Sequence, residues 1–135
     1  MKLQFAQEEH FQYIYENDKH ISEELIKVKI RDKQIILAAN EENENIGWLR
    51  YSYFWDNTPF MNMLYIHENY RNIGVGKGLV DFWEKQMKEK GYKLVMTSTL
   101  SNEEAQHFYR KLRYKDSGSL LLDNEPLEII FTKSI

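Results

Sequence analysis

The stretch YRNIGVGKGLV, residues 70–80, decides the fold. A basic residue precedes three alternating glycines that open an amphipathic helix, directly after a strand-like run, Phe60 to His67. Strand, glycine turn and helix in that order build an anion cradle. Glycines at 74, 76 and 78 are expected to take φ > 0 and let the backbone approach a ligand closely. The N–H groups of the first helical turn, which have no acceptor within the helix, point at that ligand. Phosphate suits such a site, and Arg71 and Lys77 at its rim favour a pyrophosphate over a lone carboxylate. The Rossmann spacing GxGxxG is not met, because the third glycine stands at 78 rather than 79. A Walker loop is excluded because no GK(S/T) closes the turn.

A chain of 135 residues buries one real core and is too short for a second, so a single domain over 1–135 without a linker is expected. Cysteine is absent, which excludes disulfides and thiolate metal sites. The four histidines, at 10, 20, 67 and 107, show no paired ligand spacing, so no metal is expected. The N-terminus MKLQFAQEEH lacks an apolar h-region and no apolar run reaches the length of a bilayer span. A cytoplasmic protein with no membrane partner is expected. Net charge is −3 and the basic residues are scattered, which argues against nucleic acid and mildly favours a cationic substrate.

Outward from the glycine turn, the periodicities place the remaining elements. Residues 2 to 6 read as a short strand, and Glu8 to about His20 carries Phe11, Ile14 and Tyr15 at helical spacing. Ser22 caps a second helix reaching about Arg31, and Gln34 to Ala39 reads as a buried strand. Ile46 to Trp55 alternates as a long strand, with Leu49, Tyr51, Tyr53 and Trp55 on one face and Ile46, Trp48 and Phe54 on the other. Asp56 to Pro59 makes a turn, and Phe60 to His67 returns antiparallel. The helix after the glycines shows a stripe of Leu79, Val80, Trp83 and Met87 and stops at Gly91. Lys93 to Ser98 follows as a strand, parallel to 60–67 because a helical crossover joins them. Ser101 and Glu104 read as a capping box before a helix with Ala105, Phe108, Tyr109 and Leu112 together. A hairpin, Tyr114 to Leu122 and Leu127 to Lys133, closes the chain.

Arg71 with Gly74 and Gly76 at the third and fifth places after it resembles the (Gln/Arg)xxGx(Gly/Ala) signature of the GCN5-related N-acetyltransferases, the GNAT family. AQHFYRKLRY, residues 105–114, is similar to that family's AxxFYxKxGF segment. The element order β α α β β β α β α β β agrees with its fold. The resemblance covers nearly the whole chain, most strongly Met63 to Tyr114, whereas the N-terminal third matches only in element pattern. It implies an α/β fold: a mixed, mostly antiparallel sheet with one parallel strand pair, flanked by helices.

The same resemblance implies roles for individual residues. Arg71, Asn72, Ile73, Gly74, Val75, Gly76 and Lys77 would grip the pyrophosphate of acetyl-CoA. The main chain of Leu64 to Ile66, through Tyr65, would pair with the pantetheine arm as an added strand, and an N–H there would polarise the thioester oxygen. Asn102 would bond a pantetheine amide. Tyr109 would protonate the departing CoA thiolate, a modest step for a phenol with a pKa near 10 against a thiol near 8.5.

The general base is not identified by the sequence. Some relatives carry a glutamate where this chain has Phe60; Asn62 cannot serve, and His67, Glu68, Asp56 or an N-terminal carboxylate remain as alternatives. A second departure is Arg113 in place of the usual glycine, which denies the last helix an easy left-handed exit. Tyr51, Tyr53, Trp55 and Phe60 are expected to line the acceptor cleft, on their alternation near the acyl site. The expected activity is acetyl transfer to a small amine or peptide amine by direct attack in a ternary complex, since no residue suggests a covalent relay. A non-catalytic acyl-CoA-binding module is the alternative. The oligomeric state, a homodimer included, stays open.

Overall fold

The computed structural model describes residues 1–135. Seven strands form one sheet: β1 (Lys2–Phe5), β2 (Ile35–Ala39), β3 (Asn45–Phe54), β4 (Thr58–Ile66), β5 (Leu94–Leu100), β6 (Lys115–Leu120) and β7 (Glu128–Ser134). Four helices accompany them: α1 (Phe11–Asn17), α2 (Glu23–Arg31), α3 (Val75–Glu89) and α4 (Ala105–Lys111). The strand order is β1-β2-β3-β4-β5-β7-β6, and β4 with β5 is the parallel pair. The expected mixed sheet flanked by helices is therefore present. None of the helices is long and apolar enough to cross a membrane. The chain divides into two compact units, Met1–Tyr51 with Met63–Trp83, and Ser52–Asn62 with Glu84–Ile135.

In the first unit β2 is buried along its whole length, as the continuous run IILAA requires of a strand covered on both faces. Ile14 of α1 and Ile26 and Ile30 of α2 pack with Ile35, Leu37 and Trp48 on one face. On the other, Tyr51 lies against Trp83 of α3, ring centroids 5.8 Å apart. Ser22 caps α2 as read from the sequence, its hydroxyl accepting from Leu25 N–H at 3.1 Å. Gly47 brings β3 close to β4: a Cβ there would stand 2.6 Å from the Tyr65 carbonyl oxygen, so only glycine fits.

Lys29 is the unusual core residue of this unit. It is 6% exposed, and its ammonium donates to the Tyr51 carbonyl at 2.7 Å and to Gln34 Oε1 at 2.9 Å. Burial pulls its pKa down to about 8; Arg50 adds to the fall and Asp32 opposes it.

In the second unit β5 pairs with β7 over seven residues, Leu94↔Ser134 to Leu100↔Glu128, and β6 pairs with the far edge of β7. Phe131, Tyr109 and Tyr114 form the aromatic core on one face. Two turns depart from the sequence expectations. The turn after β3 is Phe54 to Asn57, with Trp55 and Asp56 both at positive φ, so Thr58 and Pro59 belong to β4. Trp55 accordingly leaves the alternation of β3. The capping box at Ser101 and Glu104 does not form: α4 starts later, with Glu104 as an uncapped N-cap, and the Gln106 amide holds the preceding turn through the carbonyls of Ser101 and Glu103, both at 2.8 Å.

Arg113 does take the left-handed conformation, φ +73, that its neighbours demand. Tyr114 N–H donates to the Tyr109 carbonyl and Arg113 N–H to the Arg110 carbonyl, each at 3.0 Å, the bond pair of a Schellman exit. Tyr114 is then driven inward, 2% exposed, its hydroxyl donating to Glu84 at 2.7 Å. The α3 exit is built alike with Gly91, φ +95.

Arg113→Gly should relieve the left-handed strain and raise stability by about 1 kcal/mol, read as an upward shift in melting temperature. Lys29 sets a pH dependence. Its folded pKa lies below the unfolded value, so between about pH 8 and about pH 10 the unfolded chain holds a proton the folded chain has shed, and stability rises with pH by up to about 3 kcal/mol. Above that window the buried phenols of Tyr13 and Tyr109, both raised, reverse the trend. Urea titrations across the range should show the rise in wild type and its absence in Lys29→Met.

Candidate active site

The first unit carries Leu64 to Lys77 as one strand, turn and helix. The main chain at His67 turns toward β3, its N–H donating to the Ile46 carbonyl at 2.9 Å, and the Tyr65 carbonyl lies against Gly47 of the same strand. By alternation Leu64 and Ile66 turn their main chains to the opposite edge of β4. The ladder with β5 is confined to Phe60↔Met96 and Met61↔Thr97, although β4 continues to Ile66. Arg71 takes up one of the remaining acceptors, its Nε donating to the Ile66 carbonyl at 2.8 Å while its guanidinium lies 5.3 Å from the Tyr65 ring centroid.

Of the three glycines only Gly74 has positive φ, +92, and a Cβ on it would meet nothing within 4 Å. The second left-handed residue of the turn is Asn72, φ +62, expected in the pyrophosphate grip but not as a left-handed residue. Left-handed residues at 72 and 74 flanking Ile73 bend successive N–H groups toward one concavity. Gly74 then accepts the first helical bond, from Gly78 N–H at 3.0 Å, so the N–H groups of Val75 and Gly76 have no acceptor within α3. Gly78 serves packing instead, since a Cβ there would stand 2.8 Å from the Met1 terminal methyl. Asn72 and Ile73 are exposed and Val75 is buried. Lys77 pairs with Asp81 at 2.7 Å, so the rim charge of this loop is shared rather than bare.

Tyr109 and Asn102 belong to the second unit. Tyr109 is 6% exposed, on α4, among Phe108, Tyr114 and Phe131. Burial pushes its phenol up to about 12, with the Thr97 hydroxyl beside it pulling down and Glu103 pushing up. Thr97 is itself fixed, its hydroxyl donating to the Met61 carbonyl at 2.9 Å. Asn102 is exposed, in the turn ahead of α4 rather than on the helix.

The four aromatics expected to line an acceptor cleft are not gathered. Tyr51 is fully buried and donates to the Lys33 carbonyl at 3.0 Å; it presents no surface to a ligand. Tyr53 is half-buried with its ring against Tyr92 at 5.7 Å, and Trp55 stands 78% exposed on the turn. Phe60 does share a surface, stacked on Phe54 at 6.1 Å. Beside them Ser52 donates to Asn62 Oδ1 at 2.6 Å, which turns the Asn62 N–H2 outward as a donor. Neither Phe54 nor the Ser52–Asn62 pair was assigned to the cleft by the sequence; plain alternation along β3 and β4 puts all four on one face once the turn begins at Trp55.

The base alternatives are also located. His67 Nε2 is 2.6 Å from the Tyr13 hydroxyl, within rings of Tyr13, Trp48 and Tyr65. Glu68 is exposed in a short 3-10 turn and Asp56 is exposed at the hairpin tip. A further carboxylate, Glu128 of β7, accepts from the Ser98 hydroxyl at 2.6 Å.

The described arrangement is that of several solved structures. Ard1 from Thermoplasma volcanium superposes with a TM-score of 0.83 at 14% identity, covering 99% of this chain and 97% of that one. A protein described as an acetyltransferase from Acinetobacter baylyi gives 0.81 at 20% identity, with coverages of 99% and 92%. The PaiA N-acetyltransferase from Thermoplasma acidophilum, solved with coenzyme A, gives 0.72 at 19% identity, with coverages of 99% and 98%. At these identities the likeness is one of fold. No curated protein sequence matches the chain. The family model for the acetyltransferase (GNAT) family matches residues 3–114, most of the chain including the glycine turn and the Tyr109 helix, and the protein belongs to that family.

Proposed function

We propose that the protein transfers an acetyl group from acetyl-CoA to a primary amine by direct attack in a ternary complex. The observation that carries this reading is the left-handed turn at Asn72 and Gly74, which presents the Val75 and Gly76 N–H groups without an acceptor in α3. Such donors suit a diphosphate, whose charge is met by backbone dipoles rather than by a mobile side chain. The main chain of Leu64 and Ile66 takes the pantetheine arm as an added strand. Acetyl-CoA in a Bacillus anthracis relative of this fold and CoA in the Thermoplasma acidophilum one support the choice of cosubstrate.

Tyr109 is the general acid. With its phenol at about 12 and a thiol near 8.5, full transfer to the thiolate is uphill by about 5 kcal/mol. The proton therefore moves only as the C–S bond breaks, the hydroxyl stabilising charge on sulfur by hydrogen bonding beforehand. The missing carboxylate at Phe60 favours one other reading, a module that binds acyl-CoA without turnover.

A single assay separates the two. Free-thiol release from acetyl-CoA, measured with polyamines, amino acids, aminoglycosides and peptides as acceptors, should rise above hydrolysis with at least one of them. In Tyr109→Phe kcat should fall about 100-fold while calorimetric affinity for acetyl-CoA is kept. Acetyl-CoA binding with no acceptor-dependent release would favour the binding module. Gly74→Val, forced into a strained turn, should weaken acetyl-CoA binding by about tenfold or more and leave the Tyr109 environment untouched.

A further inference from the structure

We propose that Glu128, oriented by Ser98, is the carboxylate that takes the proton of the acceptor's ammonium group; the inference rests on the acetyl-transfer reading above. The argument lies entirely within the second unit. Thr97 and Ser98 are successive residues of β5, so their side chains leave opposite faces of the sheet. Thr97 faces the Tyr109 side, where Phe131, its partner in β7, is also buried. Ser98 faces away, and the carboxylate of Glu128, the β7 residue paired with Leu100, reaches over to β5 and two residues back to its hydroxyl. The face they share carries Phe60, opposite Met96, and Ile130, opposite Ser98.

The level along the strands is equally definite. The ladder between β4 and β5 ends at Met61↔Thr97, and Thr97 is the residue that sits beside the Tyr109 phenol. Ser98 is the next residue, and Asn62 the next on β4. The phenol at Thr97 and the Glu128 carboxylate at Ser98 thus address neighbouring residues of β5 from its two faces, one for the leaving sulfur and one for the incoming nitrogen of a thioester. Glu128 lies one intervening strand from β4, about 10 Å between strand axes, and its level at Leu100 is four residues, about 13 Å, beyond that of Phe60 at Met96. Its side chain turns back toward Phe60 to reach Ser98, and the span between them is open to an amine and its first carbons.

Lys115 apart, the other charged groups that β6 and β7 bring near it turn to the opposite face. Asp116, opposite Phe131, turns to the Tyr109 side and is held by Arg110; Lys133, opposite Val95, does likewise and pairs with Glu84. Lys115, opposite Thr132, is the charged residue of the same face, four residues along β7 from Glu128. The surroundings also favour the transfer. An ammonium and a carboxylate become a neutral amine and a neutral acid, and the apolar side chains of Phe60, Met96 and Ile130 disfavour the charged pair.

In the step itself the ammonium N–H bond breaks and its proton goes to a Glu128 oxygen. The freed lone pair forms the N–C bond to the thioester carbon. The C–S bond then breaks with its electrons on sulfur, which takes the Tyr109 proton. The nitrogen releases one further proton to water, Tyr109 is reprotonated from water and Glu128 returns its proton there. The sum is ammonium plus thioester giving amide, thiol and one proton.

Thiol release should be measured with spermidine, phenethylamine and a peptide with a free N-terminus as acceptors, beside calorimetry with acetyl-CoA. In Glu128→Gln kcat should fall about 100-fold with acetyl-CoA affinity unchanged. Glu128→Ala should recover part of the lost rate on addition of formate, which a purely structural role would not allow, and Ser98→Ala should lose an intermediate amount. A wild-type rate in Glu128→Gln overturns the assignment, as does a folded, acetyl-CoA-binding Glu128→Ala that formate does not relieve. Wild-type protein releasing thiol with none of the acceptors overturns the acetyl-transfer reading itself, and is told apart because no variant is involved.

Discussion

Main-chain polar groups must find partners, and from Leu64 to Gly76 this chain leaves several of them unmatched by its own secondary structure. The strand pairs with β5 over only two residues, the turn after it inverts handedness twice, and the helix that follows begins with its N–H groups outward. An unpaired buried amide costs about 1–3 kcal/mol, so such a series persists only where solvent or a ligand reaches it. The surrounding residues maintain that state. Gly47 lets β3 approach, Arg71 locks the strand end through the Ile66 carbonyl, and Gly74 accepts the conformation that other residues resist. Function at this locus is thus a matter of backbone, with side chains in support.

The second unit works the other way, through side chains held by packing. Tyr109 owes its position to an α4 exit that places Arg113 in a left-handed conformation and turns Tyr114 inward beside it. The strain at Arg113 is small against the burial of Tyr114, a large aromatic ring whose hydroxyl is also satisfied by Glu84. The cost to chemistry is a phenol raised well above its ordinary value by the same burial. A donor so placed keeps its proton at neutral pH and releases it only to a charge developing next to it.

In the proposed reaction, acid and carboxylate on opposite faces of one strand set a direction. Because strand side chains alternate, Thr97 and Ser98 cannot address the same side, and each recruits a different partner: Tyr109 from a helix, Glu128 from a neighbouring strand. In that proposal a carboxylate on β7 takes the part that Phe60 on β4 cannot, and Phe60 with Phe54 leaves an aromatic surface beside it.

Local periodicity and turn chemistry determined the elements, the glycine turn, the parallel strand pair and the helix that bears Tyr109, because these depend on spacings of a few residues. Even there, which residue would go left-handed was only partly legible: Gly74 and Gly91 were, while Asn72, Trp55 and Arg113 were imposed by neighbours that the local sequence does not show. Tertiary structure alone decided that Tyr51 is core, that Phe54 rather than Trp55 joins Phe60, and that Glu128 meets Ser98. That last contact joins residues thirty apart, and it exists because β7 inserts between β5 and β6. A hairpin can be read from its turn, but which of its strands docks on the sheet depends on the faces both strands bury, and that information is spread over the whole chain.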